Sequence, residues 1–144
     1  MILDIIKYGE DKYNKLRAKN VDVKKENPNL QKLIDDMFET LDNGNGVGLA
    51  APQVGVNLNL FIIKLPNFKE VFINPEIRLL GLGLQIKEGC LSFPNMEFPV
   101  NRRQITQAKF FDRDWNPRNV EYKDIMSIVV QHEYDHLVGK LIID

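Results

Sequence analysis

Apolar residues in the stretch NPNLQKLIDDMFETLDNG, residues 27 to 44, recur at helical spacing. Leu30, Leu33, Ile34, Met37, Phe38 and Leu41 fall at i, i+3, i+4 and i+7, which predicts one apolar stripe on an amphipathic helix. Asn27 is placed to cap it, Pro28 to occupy its first position and Gly44 to stop it. The next segment, GNGVGLAAPQVG, is punctuated by glycine and predicts no regular structure. LNLFIIKL (58–65), EVFIN (70–74) and ITQAKFFD (105–112) are rich in branched and aromatic residues and read as strands. DRDWNPRN (112–119) has turn chemistry, so VEY (120–122) can return as a hairpin partner. A last helix is expected from about Asp124 to Leu137, closed by Gly139. Helix, several short strands, then helix predicts an α+β fold with a mainly antiparallel sheet.

Composition narrows the function classes. The 144 residues suit one domain, 1–144, with nineteen basic and twenty acidic side chains and a net charge of −1. That balance points to neither nucleic acid nor a membrane surface as partner. No apolar run approaches the ~18 residues of a membrane span. The N-terminus MILDIIKYGEDK has an acid at position 4 and lacks the basic opening of a signal peptide. One cysteine, Cys90, cannot form an internal disulfide, which suits a reducing, intracellular compartment.

The chemistry starts from QHEYDHL, residues 131 to 137, which holds both histidines of the chain. On a helix Ile125, Val129, His132 and His136 share one stripe with Ile128 beside it, so the imidazoles point inward. Gln131, Tyr134 and Asp135 are expected to face the other way, and Glu133 to sit about 100° from His132 at the border of the buried face. Two imidazoles one turn apart can grip one cation, with the glutamate touching a water on it. Two histidines this far apart with a glutamate between them would arise by chance about once in a thousand such chains, so HExxH is a specific signal rather than two core histidines.

A third ligand is needed. In HExxHxxGxxH it would stand at position 142, which is Ile142, and the sequence stops eight residues after His136, so it is expected upstream. Cys90, in KEGCLSFP, is the best candidate, since its thiolate with two imidazoles leaves a tetrahedral ion one open position. The glycine, serine and proline around it argue for an exposed bend rather than a core strand. Glu88 is the rival ligand.

GVGLAAPQ (46–53), EGCLS (88–92) and QHEYDHL (131–137) together resemble, in order and spacing, the three motifs of the peptide deformylases. The resemblance implies a mainly antiparallel sheet packed around a central HExxH-bearing helix, with a second, N-terminal helix. It implies removal of the N-formyl group from N-formylmethionyl peptides and nascent chains, with release of formate. Cys90, His132 and His136 would hold one divalent metal ion, Fe²⁺ in the cell, replaceable by Zn²⁺, Ni²⁺ or Co²⁺. Glu133 would be the general acid–base, and Gln53 and the Leu91 N–H would stabilise the oxyanion. Gly46 and Gly48 would let a substrate backbone approach closely, Gly48 beside the reacting groups. Val47, Ile86, Leu91, Ile125, Ile128 and Val129 are candidates for an apolar pocket receiving methionine, with Glu88 at its edge. Glu88 and Arg102 would pair to brace the cysteine loop, failing which they are a solvated ion pair worth ~1 kcal/mol or less. Asp135 is expected to be structural.

The family resemblance also implies a cytoplasmic monomer: the bacterial cytosol, or a host cytosol for a virus-encoded copy. An organelle stays open, although no transit peptide is seen. Many relatives continue beyond the HExxH helix into a C-terminal segment, so this sequence reads as a short form. Two other classes compete: a metalloendopeptidase using the same helix, and an inert module that binds formylated N-termini.

Overall fold

The computed structural model describes residues 1–144. A short 3-10 helix, Asp11–Leu16, precedes α1 (Leu30–Asp42). Then come β1 (Gly48–Ala50), a second 3-10 helix (Ala51–Val54), β2 (Leu60–Leu65), β3 (Phe68–Cys90), β4 (Phe93–Phe111), β5 (Pro117–Lys123) and α2 (Ile125–Leu137). The strands form one antiparallel sheet in the order β1-β2-β3-β4-β5, each paired with its sequence neighbour.

Strand alternation explains how the sheet is covered. Successive side chains point to opposite faces. On one face Leu49, Leu60, Ile62, Val71 and Ile73 meet Leu30, Ile34, Met37, Phe38 and Leu41 of α1. On the other, Ala50, Phe61, Ile63, Phe72 and Phe110 meet Val130 and Leu137 of α2. This is why Leu60–Ile63 are apolar without interruption: both faces of β2 are buried there, and the first polar residue, Lys64, comes where burial lessens. Phe72 anchors the second layer, its ring 4.5 Å from Phe61 and 4.3 Å from Phe110; such pairs add ~0.5–1.5 kcal/mol each beyond the area they bury.

Several expectations need correction. α1 starts at Leu30, not at Pro28: the Asn27 side chain accepts the Asn29 N–H at 2.9 Å and its carbonyl accepts Leu30 N–H. Asn27 thus makes a turn that feeds the helix instead of capping it. GNGVGLAAPQVG does contain regular structure, because β1 and the second 3-10 helix both lie within it. β3 and β4 are far longer than the segments 70–74 and 105–112, running on as a hairpin whose turn is Leu91–Ser92. Register shifts after Ile73, Leu80 and Glu88 bend this hairpin, as β-bulges do. The bend after Cys90 is not exposed, since Ser92 and Phe93 are buried.

The phase of α2 also differs. Ile125 is 72% exposed, whereas Gln131, expected to face away, is buried. Every residue of α2 after Ile125 is at least partly covered. The Gln131 amide grips the backbone of Arg103 on β4, accepting its N–H at 2.9 Å and donating to its carbonyl at 2.7 Å. Ser127 donates to the same carbonyl at 2.9 Å, and its hydroxyl lies 2.8 Å from that of Thr106. A polar residue can face a sheet when the strand offers it backbone partners.

Candidate metal centre and active site

The site forms where the β3–β4 turn meets α2. Asp124, at φ 56°, swings the chain from β5 directly into the helix, and its carbonyl accepts the Ile128 N–H. One turn separates His132 from His136, whose ring centroids are 5.3 Å apart. Cys90, opposite Phe93 at the end of β3, carries its Sγ to 3.5 Å from His136 Nε2. The candidate ligand atoms of Cys90, His132 and His136 all lie within 4.8 Å of one another. A tetrahedral ion at usual bond lengths sets thiolate and imidazole ligand atoms about 3.6 Å apart, so the Cys90–His136 spacing fits.

Glu88 is committed elsewhere. Its Oε1 lies 2.8 Å from His132 Nδ1, and its carboxylate forks onto Arg102 Nε and Nη2 at 2.8 and 2.7 Å. Arg102 Nη1 donates in turn to Asp135. Burial raises the Glu88 pKa, but the bonds from Arg102 and His132 outweigh it and hold the group down at about 2. An ionised carboxylate only accepts, so His132 Nδ1 carries a hydrogen toward it, and Nε2 is the atom that would meet an ion at the centre. The rival-ligand reading of Glu88 fails for that reason. So does a solvated pair with Arg102, since both side chains are buried. Asp135 sits on the outer end of this chain, partly exposed.

Glu133 lies deeper than the border position expected of it. It is 3% exposed, and its Oε1 has no hydrogen-bond partner. Burial pushes its pKa up to about 7, the range in which a carboxylate can exchange protons at neutral pH. The backbone at Gly48 passes directly over it: a Cβ there would stand 2.6 Å from Glu133 Oε2 and 2.8 Å from Cγ. Any side chain at position 48 would displace the carboxylate, which accounts for this glycine. At Gly46 a Cβ would meet Leu91 methyl carbons, the nearest at 2.9 Å.

Gln53, a surface residue by default, is 1% exposed. Its Oε1 accepts the Ala50 N–H at 2.9 Å, closing the short 3-10 helix, and its Nε2 donates to Ser92 Oγ at 3.1 Å. The same Nε2 lies 3.5 Å from Cys90 Sγ.

These groups border a cavity of about 170 Å³, walled by Val47, Leu91, Ile128 and Val129 with Gly46, Gly48, Gln53, Glu88, Gly89, Cys90, His132 and Glu133. Ile86 and Ile125 do not line it: Ile86 pairs with Val100 further along the hairpin, and Ile125 projects from the start of α2. Gly89 and Ser92 were quoted in the EGCLS motif without a role: Gly89 lines the cavity beside Cys90, and Ser92 meets Gln53, a contact that only the fold brings about. A roomier groove of about 810 Å³ runs along residues 3–15 beside Val54 and Gly55, but it contains no convergent ligand set.

The donor set suits a divalent cation. Burial keeps His136 well below its usual pKa, aided by the charges of His132 and Arg102, so the imidazole is neutral, as a ligand must be. His132 is buried too, which disfavours its charge, yet Cys90, Glu133 and Glu88 outweigh burial and lift it to about 10. The surroundings of His132 thus favour positive charge close to the point where the three donor atoms converge.

A family model described as polypeptide deformylase matches residues 2–144. The peptide deformylase of Karelsulcia muelleri (strain GWSS) is 41% identical, the match covering 100% of this chain and 78% of that protein. For the peptide deformylase of Baumannia cicadellinicola subsp. Homalodisca coagulata the identity is 40%, covering 99% and 86%. Among solved structures, the peptide deformylase from Thermotoga maritima superposes with a TM-score of 0.92 at 36% identity, covering 100% of this chain and 97% of that one. The enzyme from Synechococcus elongatus, solved in complex with actinonin, gives 0.92 at 36% identity, covering 99% and 77%.

Proposed function

The chain belongs to the polypeptide deformylase family, and from that premise we propose how its own residues divide the work. The protein is a metal-dependent hydrolase that removes the N-formyl group from formylmethionine at the start of nascent polypeptides and releases formate. Cys90, His132 and His136 are the residues that would hold the ion, which we take to be Fe²⁺ in the cell, with Zn²⁺, Ni²⁺ or Co²⁺ able to substitute. When bound, that ion supplies Lewis-acid chemistry: it acidifies the attacking water and polarises the formyl group.

Glu133 accepts the proton of the water that attacks the formyl carbon and passes it to the departing amine. Its burial, which raises its proton affinity, supports both halves of that shuttle. The Gln53 Nε2–H and the Leu91 N–H donate to the formyl oxygen as it gains charge. Glu88, held by Arg102, fixes the orientation of His132. Gly46 and Gly48, whose missing side chains make room for Leu91 and Glu133, border the cavity where an extended peptide backbone would pass, and Val47, Leu91, Ile128 and Val129 receive the methionine side chain. Residues 1–144 act as one catalytic domain with α2 at its centre, working as a monomer in the cytoplasm. No helix of the chain is long and apolar enough to cross a membrane.

The observation that carries this assignment is the approach of Cys90 Sγ to His136 Nε2 at 3.5 Å, with Glu133 on the same cavity. A cavity of about 170 Å³ holds one side chain and suits a terminal group better than the long cleft of an endopeptidase. The test is formate release from a formyl-Met peptide by protein loaded anaerobically with Fe²⁺ or Ni²⁺. Glu133→Gln should lower kcat by about 10²–10⁴-fold while keeping the metal. No formate from the loaded protein rejects the proposal.

A further inference from the structure

A glutamine can stabilise an oxyanion only with its NH₂ end facing the substrate. A half-turn of the amide presents its carbonyl instead, and two oxygens then repel. Gln53 is held against that half-turn at its Oε1 end. The Ala50 N–H meets Oε1 at 2.9 Å, and a backbone N–H can only donate, so the flipped amide would face it donor to donor. At the other end Ser92 Oγ accepts from Nε2 at 3.1 Å; a hydroxyl can donate or accept, so this bond fixes where that end of the amide sits, and the Ala50 N–H fixes which way round it is. One Nε2 hydrogen is spent on Ser92, which leaves the second on the side of Cys90 Sγ, 3.5 Å away. Ser92 is fully buried, and Gln53 is the only side-chain partner of its hydroxyl.

We propose that Ser92 is a positioning residue for deformylation: its hydroxyl oxygen completes the lock by anchoring the Nε2 end of the Gln53 amide, so that the second N–H is held toward the formyl oxygen. The inference rests on the reading of Gln53 as an oxyanion donor. The main chain around the pair is secured separately. Ile6 N–H donates to the Gln53 carbonyl and Tyr8 N–H to the Ser92 carbonyl, each at 2.7 Å, so residues 6–8 tie the two segments together. Tyr8 also stacks on Phe93, with centroids 5.4 Å apart. Removing the Ser92 hydroxyl therefore frees one end of an amide and leaves the backbone in place.

The experiment is a kinetic double-mutant cycle on the metal-loaded enzyme, using Ser92→Ala, Gln53→Ala and both together. Ser92→Ala should lower kcat about tenfold, the worth of one lost hydrogen bond, with KM and metal content unchanged. In the Gln53→Ala background the same substitution should cost less than about twofold, because there is no amide left to position. A full tenfold loss persisting without Gln53, or a loss carried by KM, overturns the inference, as does Ser92→Ala at wild-type kcat. If Gln53→Ala itself leaves kcat intact, the oxyanion role of Gln53 fails first, and the two failures are told apart. Hydrogen exchange of the Gln53 side-chain amide in the wild-type protein reads the lock without any variant: slow exchange is expected, and exchange at the rate of a free glutamine refutes it.

Discussion

Replacing Gly48 by alanine tests the placement of the general base without touching a metal ligand. The added Cβ would stand 2.6 Å from Glu133 Oε2, and ordinary contact begins at 3.4 Å, so the carboxylate must retreat by about 0.8 Å. Glu133 has little room for this, being 3% exposed on a helix pinned to β4. A misplacement of about 1 Å in reacting groups costs on the order of 10² in rate, so kcat should fall roughly a hundredfold. Overpacking should destabilise the fold by about 1–3 kcal/mol, which a denaturant titration would detect. The three nearest atoms all belong to Glu133 and none to Cys90, His132 or His136, so metal stoichiometry should stay at the wild-type level. Formate release coupled to formate dehydrogenase gives kcat and KM, and metal analysis of the same sample gives occupancy. Gly83→Ala is the control, because nothing lies within 4 Å of a Cβ there and the residue is exposed. A Gly48→Ala enzyme within about threefold of wild-type kcat would refute the steric argument.

Arg102→Ala should be costly in two ways: it leaves Glu88 buried with His132 as its one remaining side-chain partner, at about 3–5 kcal/mol, and loosens His132, weakening metal affinity about 10–100-fold in a chelator competition. Unchanged affinity would show that Glu88 needs no brace. Asp144, whose carboxylate pairs with Arg17 at 2.8 and 2.9 Å, is held down at about 2, first by that hydrogen bond. A lowered folded-state pKa gives stability that is present above the usual value of 3.8 and lost as the pH falls through about 2. Asp144→Asn should therefore lower Tm by ~2–4 °C at pH 6, for a pair worth ~1 kcal/mol. The difference should shrink toward zero near pH 2; a gap that persists there would contradict the assignment.

Much of this was legible in the sequence, for physical reasons. Leu30, Ile34, Met37, Phe38 and Leu41 follow the helix period because one face of α1 packs on the sheet. The reading of β2 as a strand held because its branched and aromatic side chains fill both layers. The β3–β4 hairpin was not read: Leu80, Leu82, Leu84 and Ile86 do alternate with Gly81, Gly83, Gln85 and Lys87, but the two glycines look like loop punctuation and Leu82 and Leu84 stay exposed, so the alternation there marks no buried face. The phase of α2 was misread at Gln131 because a polar side chain is assigned to solvent unless its backbone partners are known. Cys90, His132, His136 and Glu133 stood out as motif residues, whereas Ser92 did not, since its role needs Gln53 to be folded beside it. The reason for Gly48 was equally hidden, because it depends on where Glu133 comes to rest.

The underside of α2 works as a key in a slot. A helix resting on leucine and valine alone can roll through several degrees, or slide by a fraction of a turn, with little resistance. Gln131, gripping both polar atoms of one peptide strand residue, blocks roll and slide together, and Ser127 adds a second tooth. The two imidazoles inherit that fixed azimuth. Trading Ser127 and Gln131 for hydrocarbon of matching volume would strip the Arg103 N–H and carbonyl of these partners, so the protein should melt earlier; its aim at the ion, and so its turnover, would blur as well.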